Sequence, residues 1–123
     1  MISPFLESTG RNLSDVRLVN RAVIFRTIRE AGGISRAALA KTTGLNPATI
    51  THIVRELIHQ GLIEDAGNSE SSGGRPSSIL RIRTQAGYII SVQLDRLYIK
   101  AMITNLDLGD KIQEQVITAQ PHN

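Results

Sequence analysis

The stretch Gly44-Leu45-Asn46-Pro47-Ala48-Thr49-Ile50-Thr51-His52-Ile53-Val54-Arg55-Glu56-Leu57-Ile58-His59-Gln60-Gly61 decides how this chain folds. Asn46 is a good helix N-cap, because its side-chain oxygen can accept an N–H that the first turn leaves unpaired. Pro47 suits the first helical position, where no N–H is needed and its fixed φ is already helical. Ile50, Ile53, Val54, Leu57 and Ile58 recur as one apolar stripe at about 100° per residue. Gly61 closes the element. The opposite side carries Ala48, His52, Arg55 and His59, flanked by Thr49, Thr51 and Glu56. The spacing predicts a helix with an apolar back and a small, polar front.

Upstream, Ser35 is placed to cap a short helix from Arg36 to Thr43, with Leu39 and Ala40 facing inward. Gly44 then stands where a tight helix-to-helix turn needs a left-handed residue. Before it, Val16, Val19, Val23, Ile24, Ile28 and Ala31 recur at helical spacing. Ser14 or Asp15 is the expected cap of that first helix, and Gly32–Gly33 its end. Downstream, Leu62–Ile63–Glu64–Asp65 reads as a short strand, Asn68 to Pro76 as a loop rich in Ser and Gly, and Ser78 to Ile82 as the returning strand. Three helices followed by a hairpin are the order of a winged helix-turn-helix.

The expected fold class is therefore α+β. Residues 1–13, with no sustained period, are expected to form a flexible arm. Residues 14–83 form the winged helix-turn-helix, and 84–123 a short antiparallel meander. Tyr88 to Leu94, Leu97 to Thr104 and Lys111 to Thr118 carry its period-two pattern. A meander of this size is marginal alone, because its apolar face has nothing to cover it. It reads as the opening of a larger, truncated domain.

Composition narrows the function. The 123 residues contain no Cys, so neither a disulfide framework nor a Cys-based zinc site exists. No apolar run approaches the roughly 20 residues of a membrane span. The first ten residues lack the basic-then-apolar order of a signal peptide. A cytoplasmic setting is expected. Net charge is only +3 but unevenly spread: up to Arg83 there are eleven cations against seven carboxylates, and beyond it three against four. Ten of the eleven cations are Arg, the side chain suited to reading guanine and entering narrow minor grooves.

That charge, with the two-sided helix, points to duplex DNA. In a helix-turn-helix the second helix enters the major groove with its N-terminal residues at the bases. Asn46, Ala48, Thr49, Thr51 and His52 are the candidates for base readout, since Thr hydroxyls bond to either base edge and Ala or Thr methyls meet the thymine methyl. Asn20, Arg21, Ser35, Arg36 and Arg55 are candidates for phosphate contacts, which position the protein without reading sequence. The loop residues Gly73, Gly74, Arg75 and Pro76 form a candidate wing tip, with Arg75 placed to enter an A·T-rich minor groove. His52 and His59 lie seven apart with no Cys or carboxylate cluster nearby, so no metal site is expected. No catalytic arrangement stands out, and no cofactor is expected.

The runs Ile34-Ser35-Arg36-Ala37-Ala38-Leu39-Ala40, Thr43-Gly44-Leu45-Asn46-Pro47-Ala48-Thr49-Ile50, Val54-Arg55-Glu56-Leu57-Ile58, Gly61-Leu62-Ile63-Glu64 and Gly73-Gly74-Arg75-Pro76 resemble the N-terminal part of ROK-family repressors, the family of the xylose and N-acetylglucosamine repressors. The resemblance implies a repressor of carbohydrate-use genes that binds a palindromic, A·T-rich operator, with a homodimer as its assembly. It also implies a sugar-kinase-like domain of the actin-like ATPase fold after the winged helix, whose first strands would be the meander. Family kinases carry an Asp-x-Gly-x-Thr phosphate loop. The matching positions here, Asp95-Arg96-Leu97-Tyr98-Ile99, keep the Asp but not the Gly or Thr. A sugar effector is not expected for this short form, nor is an enzyme. The alternatives are a sugar-kinase-type fragment and a winged helix used for protein–protein contact.

Overall fold

The structure, a computed structural model, describes residues 12–68 and 78–119. The expected arm up to residue 11 and the expected wing tip lie outside the described residues. The first helix, α1, spans Leu13–Ala31. Its cap is Asn12, not Ser14 or Asp15. Asn12 sits in extended backbone and its side chain accepts the Asp15 N–H at 3.1 Å, while the Asp15 carboxylate accepts the Asn12 N–H at 3.3 Å. Asp15 is thus the reciprocal partner in a capping box, which satisfies two free N–H groups at once.

Strand β1 is the two-residue Ile34–Ser35, followed by α2 (Arg36–Thr43) and α3 (Pro47–His59). Strands β2 (Ile63–Asn68) and β3 (Ser78–Ile82) form the hairpin. The antiparallel sheet has the order β1-β3-β2, with Ile34 opposite Leu80 and Ile63 opposite Ile82. β1 has no period of its own, and its ladder with β3, far along the chain, is what makes it a strand. β2 runs three residues beyond Asp65, through a register shift between Asp65 and Asn68, where Gly67 has a φ of 66°. A bulge of this kind interrupts the ladder without ending it, which is why the strand expected to stop at Asp65 continues to Asn68.

One core joins these elements. Ile24 and Ile28 of α1, Leu39 of α2, Ile50, Ile53, Val54 and Leu57 of α3, Ile63 of β2 and Leu80 of β3 are all buried. α3 supplies four of these nine, so its position is fixed by packing and not by propensity. The apolar spacing of α1 extends further than its cover. Val16 and Val19, expected inside, are exposed, and Leu13 is 91% exposed. Helical periodicity marks a face, not how much of it a partner covers; here the eight-residue α2 is much shorter than α1. Ile58 likewise sits at the edge of the α3 stripe, 36% exposed.

Gly44 links α2 to α3 with a φ of 68°, and its N–H donates to the Ala40 carbonyl at 2.9 Å. A Cβ there would meet nothing within 4 Å. Gly44→Ala therefore costs only left-handed backbone strain, about 1–2 kcal/mol. A chemical denaturation midpoint should fall accordingly, and an unchanged midpoint would count against this turn geometry.

A short 3-10 turn, Thr84–Ala86, leads to β4 (Tyr88–Leu94), β5 (Tyr98–Asn105) and β6 (Lys111–Thr118), an antiparallel sheet of order β4-β5-β6. β5 starts one residue later than its pattern suggests, because Leu97 belongs to the turn and donates its N–H to Asp95 Oδ1 at 3.1 Å. The ladder puts Tyr88, Ile90, Val92, Leu94, Ile99 and Ile117 on one face, and all six are exposed.

Candidate nucleic-acid interface

The α2–α3 unit is assembled by local chemistry. Ser35 Oγ accepts the Ala38 N–H at 3.1 Å and caps α2. Leu39 anchors α2 in the core. After the Gly44 turn, the Leu45 N–H donates to Thr43 Oγ1 at 3.3 Å, and Asn46 Oδ1 accepts the Ala48 N–H at 2.8 Å. Pro47 opens α3, whose first turn holds no acidic residue. The positive end of the helix dipole is therefore unopposed there, which favours an approaching anion.

Burial divides α3 cleanly. Ile50, Ile53, Val54 and Leu57 face the core, while Ala48, Thr51, His52, Arg55 and His59 are exposed and Thr49 is half-buried. Ala48, Thr49 and His52 line a shallow groove of about 360 Å³ between the N-terminal halves of α3 and α1, together with Leu13, Val16, Arg17, Asn20 and Ile53. Asn20 thus joins three of the base-reading candidates at one place. Asn46 lies at the same helix end, but its carboxamide oxygen is committed to the cap, leaving its amino group as the free donor.

The basic candidates divide differently. Arg55 is exposed and has no ion-pair partner among the described residues. Arg21, expected at phosphate, donates instead to Gln60 at the end of α3. Arg36, also expected there, turns toward the hairpin. Its guanidinium donates to Asp65 of β2 at 3.1 Å and to Ser78 of β3 at 2.6 Å. Burial alone would raise the Asp65 carboxyl, but hydrogen bonds from Ser78, Arg36 and the Gly67 backbone outweigh it and hold it below its usual value. Both guanidinium groups serve first as struts, which a count of charges along a sequence cannot reveal.

Glu56 was the residue not singled out. Arg17 of α1 donates to its carboxylate, so Arg17–Glu56 and Arg21–Gln60 form two rungs between α1 and α3. The matching i, i+4 spacing of Arg17 with Arg21 and of Glu56 with Gln60 was the available signal. His52 Nε2 lies 3.3 Å from the same Glu56 oxygen. Among the described residues no group of His, Asp and Glu is placed to hold a metal ion, and no helix is long and apolar enough to cross a membrane.

A helix seated by four buried aliphatics, presented by a tight turn and followed by a hairpin, defines a winged helix-turn-helix of the DNA-binding class. The family model for winged helix-turn-helix DNA-binding domains matches residues 22–64. The DNA-binding transcriptional dual regulator NagC of Escherichia coli strain K12 is 37% identical over 101 residues, which cover 82% of this chain and 24% of that protein. The xylose repressor of Bacillus spizizenii is 35% identical over 92 residues, covering 75% of this chain and 24% of that protein. A crystal structure of a ROK family transcriptional regulator, a homologue of the E. coli MLC protein, matches with a TM-score of 0.61 and 32% identity, over 84% of this chain and 26% of that one. This chain is a relative of the ROK-family transcriptional regulators and corresponds to their N-terminal region. It spans about a quarter of the length of the relatives it matches.

Proposed function

We propose that this chain binds duplex DNA sequence-specifically, with α3 in the major groove, and acts as a transcriptional repressor of carbohydrate-use genes. The observation that carries the reading is the two-sided construction of α3: four aliphatic side chains fix its back in the core, and Ala48, Thr51 and His52 stand exposed on its front. Thr49, Thr51, His52, Ala48 and the free amino group of Asn46 supply base contacts. Arg55 and Asn20 meet the backbone, and Arg21 adds positive field because its strut partner Gln60 is neutral, whereas Asp65 offsets the charge of Arg36. Gly73, Gly74, Arg75 and Pro76 form the wing, with Arg75 in a flanking A·T-rich minor groove. The names of the relatives support the repressor role. The operator proposed is palindromic and is bound by a homodimer, since helix-turn-helix proteins commonly bind two half-sites related by the two-fold axis of a dimer. The site of action is the cytoplasm. Asp95-Arg96-Leu97-Tyr98-Ile99 lacks the glycine and threonine of a kinase phosphate loop, which favours a binding protein over a sugar kinase.

Two substitutions test the assignment. Thr49→Ala should change base preference at one position by about fivefold or more, while binding to random duplex changes little. A uniform loss across sequences would place Thr49 at phosphate instead. Arg75→Ala should weaken binding by about tenfold, chiefly on sites with A·T-rich flanks, and flatten the salt dependence by about one phosphate contact. Unchanged affinity would remove the wing from the interface.

A further inference from the structure

We propose that Glu56 is a specificity-determining positioning residue: it fixes the proton of His52 on Nε2, so that Nδ1 faces the DNA as an acceptor and selects a base carrying an amino group, adenine or cytosine. The inference rests on α3 entering the major groove. A neutral imidazole has one donor nitrogen and one acceptor nitrogen, and the partner of one decides the role of the other. The partner here is a carboxylate, which only accepts. His52 Nε2 lies 3.3 Å from Glu56 Oε1, one helical turn along. Glu56 is not free to swing away, because Arg17 of α1 holds the same oxygen and the Arg21–Gln60 rung fixes the crossing one turn further on. Its side chain is only 23% exposed, whereas that of His52 is 60% exposed and lines the groove beside Ala48, Thr49 and Asn20. Among the described residues, Arg17 and Glu56 are the charged groups that line this groove or pair with His52.

The chemistry of the major groove then sets the choice. Adenine N6 and cytosine N4 present donors there, whereas guanine N7 and O6 and thymine O4 are acceptors. An acceptor at Nδ1 therefore separates amino bases from keto bases. Arg17 has a second consequence, since it neutralises a carboxylate that would otherwise repel the phosphates.

The test is selection from random duplexes with the intact chain at about pH 8. One position should prefer adenine or cytosine by about fivefold, the scale of one neutral hydrogen bond. His52→Ala should erase that preference. Glu56→Gln should erase it at the same position although His52 remains, because an amide can donate as well as accept. Arg17→Met, which removes one anchor of Glu56 but keeps the carboxylate, should weaken the preference without erasing it. A guanine or thymine preference at pH 8, or an adenine or cytosine preference that survives Glu56→Gln, would overturn the proposal. So would an Arg17→Met effect equal to that of Glu56→Gln, which would reduce Glu56 to a structural strut. If His52→Ala changes no position at all, the base-reading role of His52 fails and the proposal falls with it.

Discussion

Leu57→Ala should destabilise the winged helix by about 2–5 kcal/mol, the usual cost of deleting a buried leucine and leaving a cavity. Leu57 is 1% exposed and closes the C-terminal end of the buried face of α3, as one of the nine buried residues of the core. So small a core has few neighbours that can collapse into the gap, and small domains hold little stability in reserve. The thermal midpoint should drop by about 10 °C or more. DNA affinity should fall in parallel, because an unseated α3 presents nothing. Ile58→Ala is the internal comparison. Ile58 was expected in the same stripe but stands 36% exposed, so its truncation should cost under about 1 kcal/mol. Equal losses from the two would mean that α3 is rotated from the orientation described.

Thr51→Glu should have the opposite profile, abolishing binding while leaving the fold intact. Thr51 is exposed on the front of α3. A carboxylate there would face the negative field of the groove, where a juxtaposed like charge costs several kcal/mol. Specific affinity should fall about a hundredfold or more. Stability should stay within about 0.5 kcal/mol, helped by Arg55 one turn along the same face. Gel-shift titration beside a melting curve separates the two quantities. Retained binding would place the front of α3 away from DNA.

These two outcomes draw on different parts of what the sequence made legible. The ends of α2 and α3 could be read in advance because they are set by neighbours in the chain: Ser35 on Ala38, Gly44 on Ala40, and Asn46 on Ala48. The cap of α1 was misplaced by two or three residues for a related reason. Asn12, Ser14 and Asp15 all have capping side chains, and only the reciprocal geometry selects Asn12. What stayed hidden depends on distant partners. The two residues of β1 become a strand through Leu80 and Ile79. Val16 and Val19 keep the spacing of a buried face that nothing buries. Arg21 and Arg36 looked like free cations until Gln60, Asp65 and Ser78 came beside them. The exposed front of α3 was legible because a helix with one buried stripe leaves few positions for the opposite side. Glu56 was passed over because an acidic residue beside DNA looks unfavourable until Arg17 is seen to neutralise it.

The most direct test of α3 as a major-groove reading head is methylation interference on a duplex selected by the intact chain. Methyl groups at guanine N7 occupy the major groove, and those at adenine N3 the minor groove. A reading head of this kind predicts that N7 methylation within the selected motif blocks binding, with adenine N3 effects confined to the flanks. Interference at adenine N3 alone, or at neither atom, would contradict it.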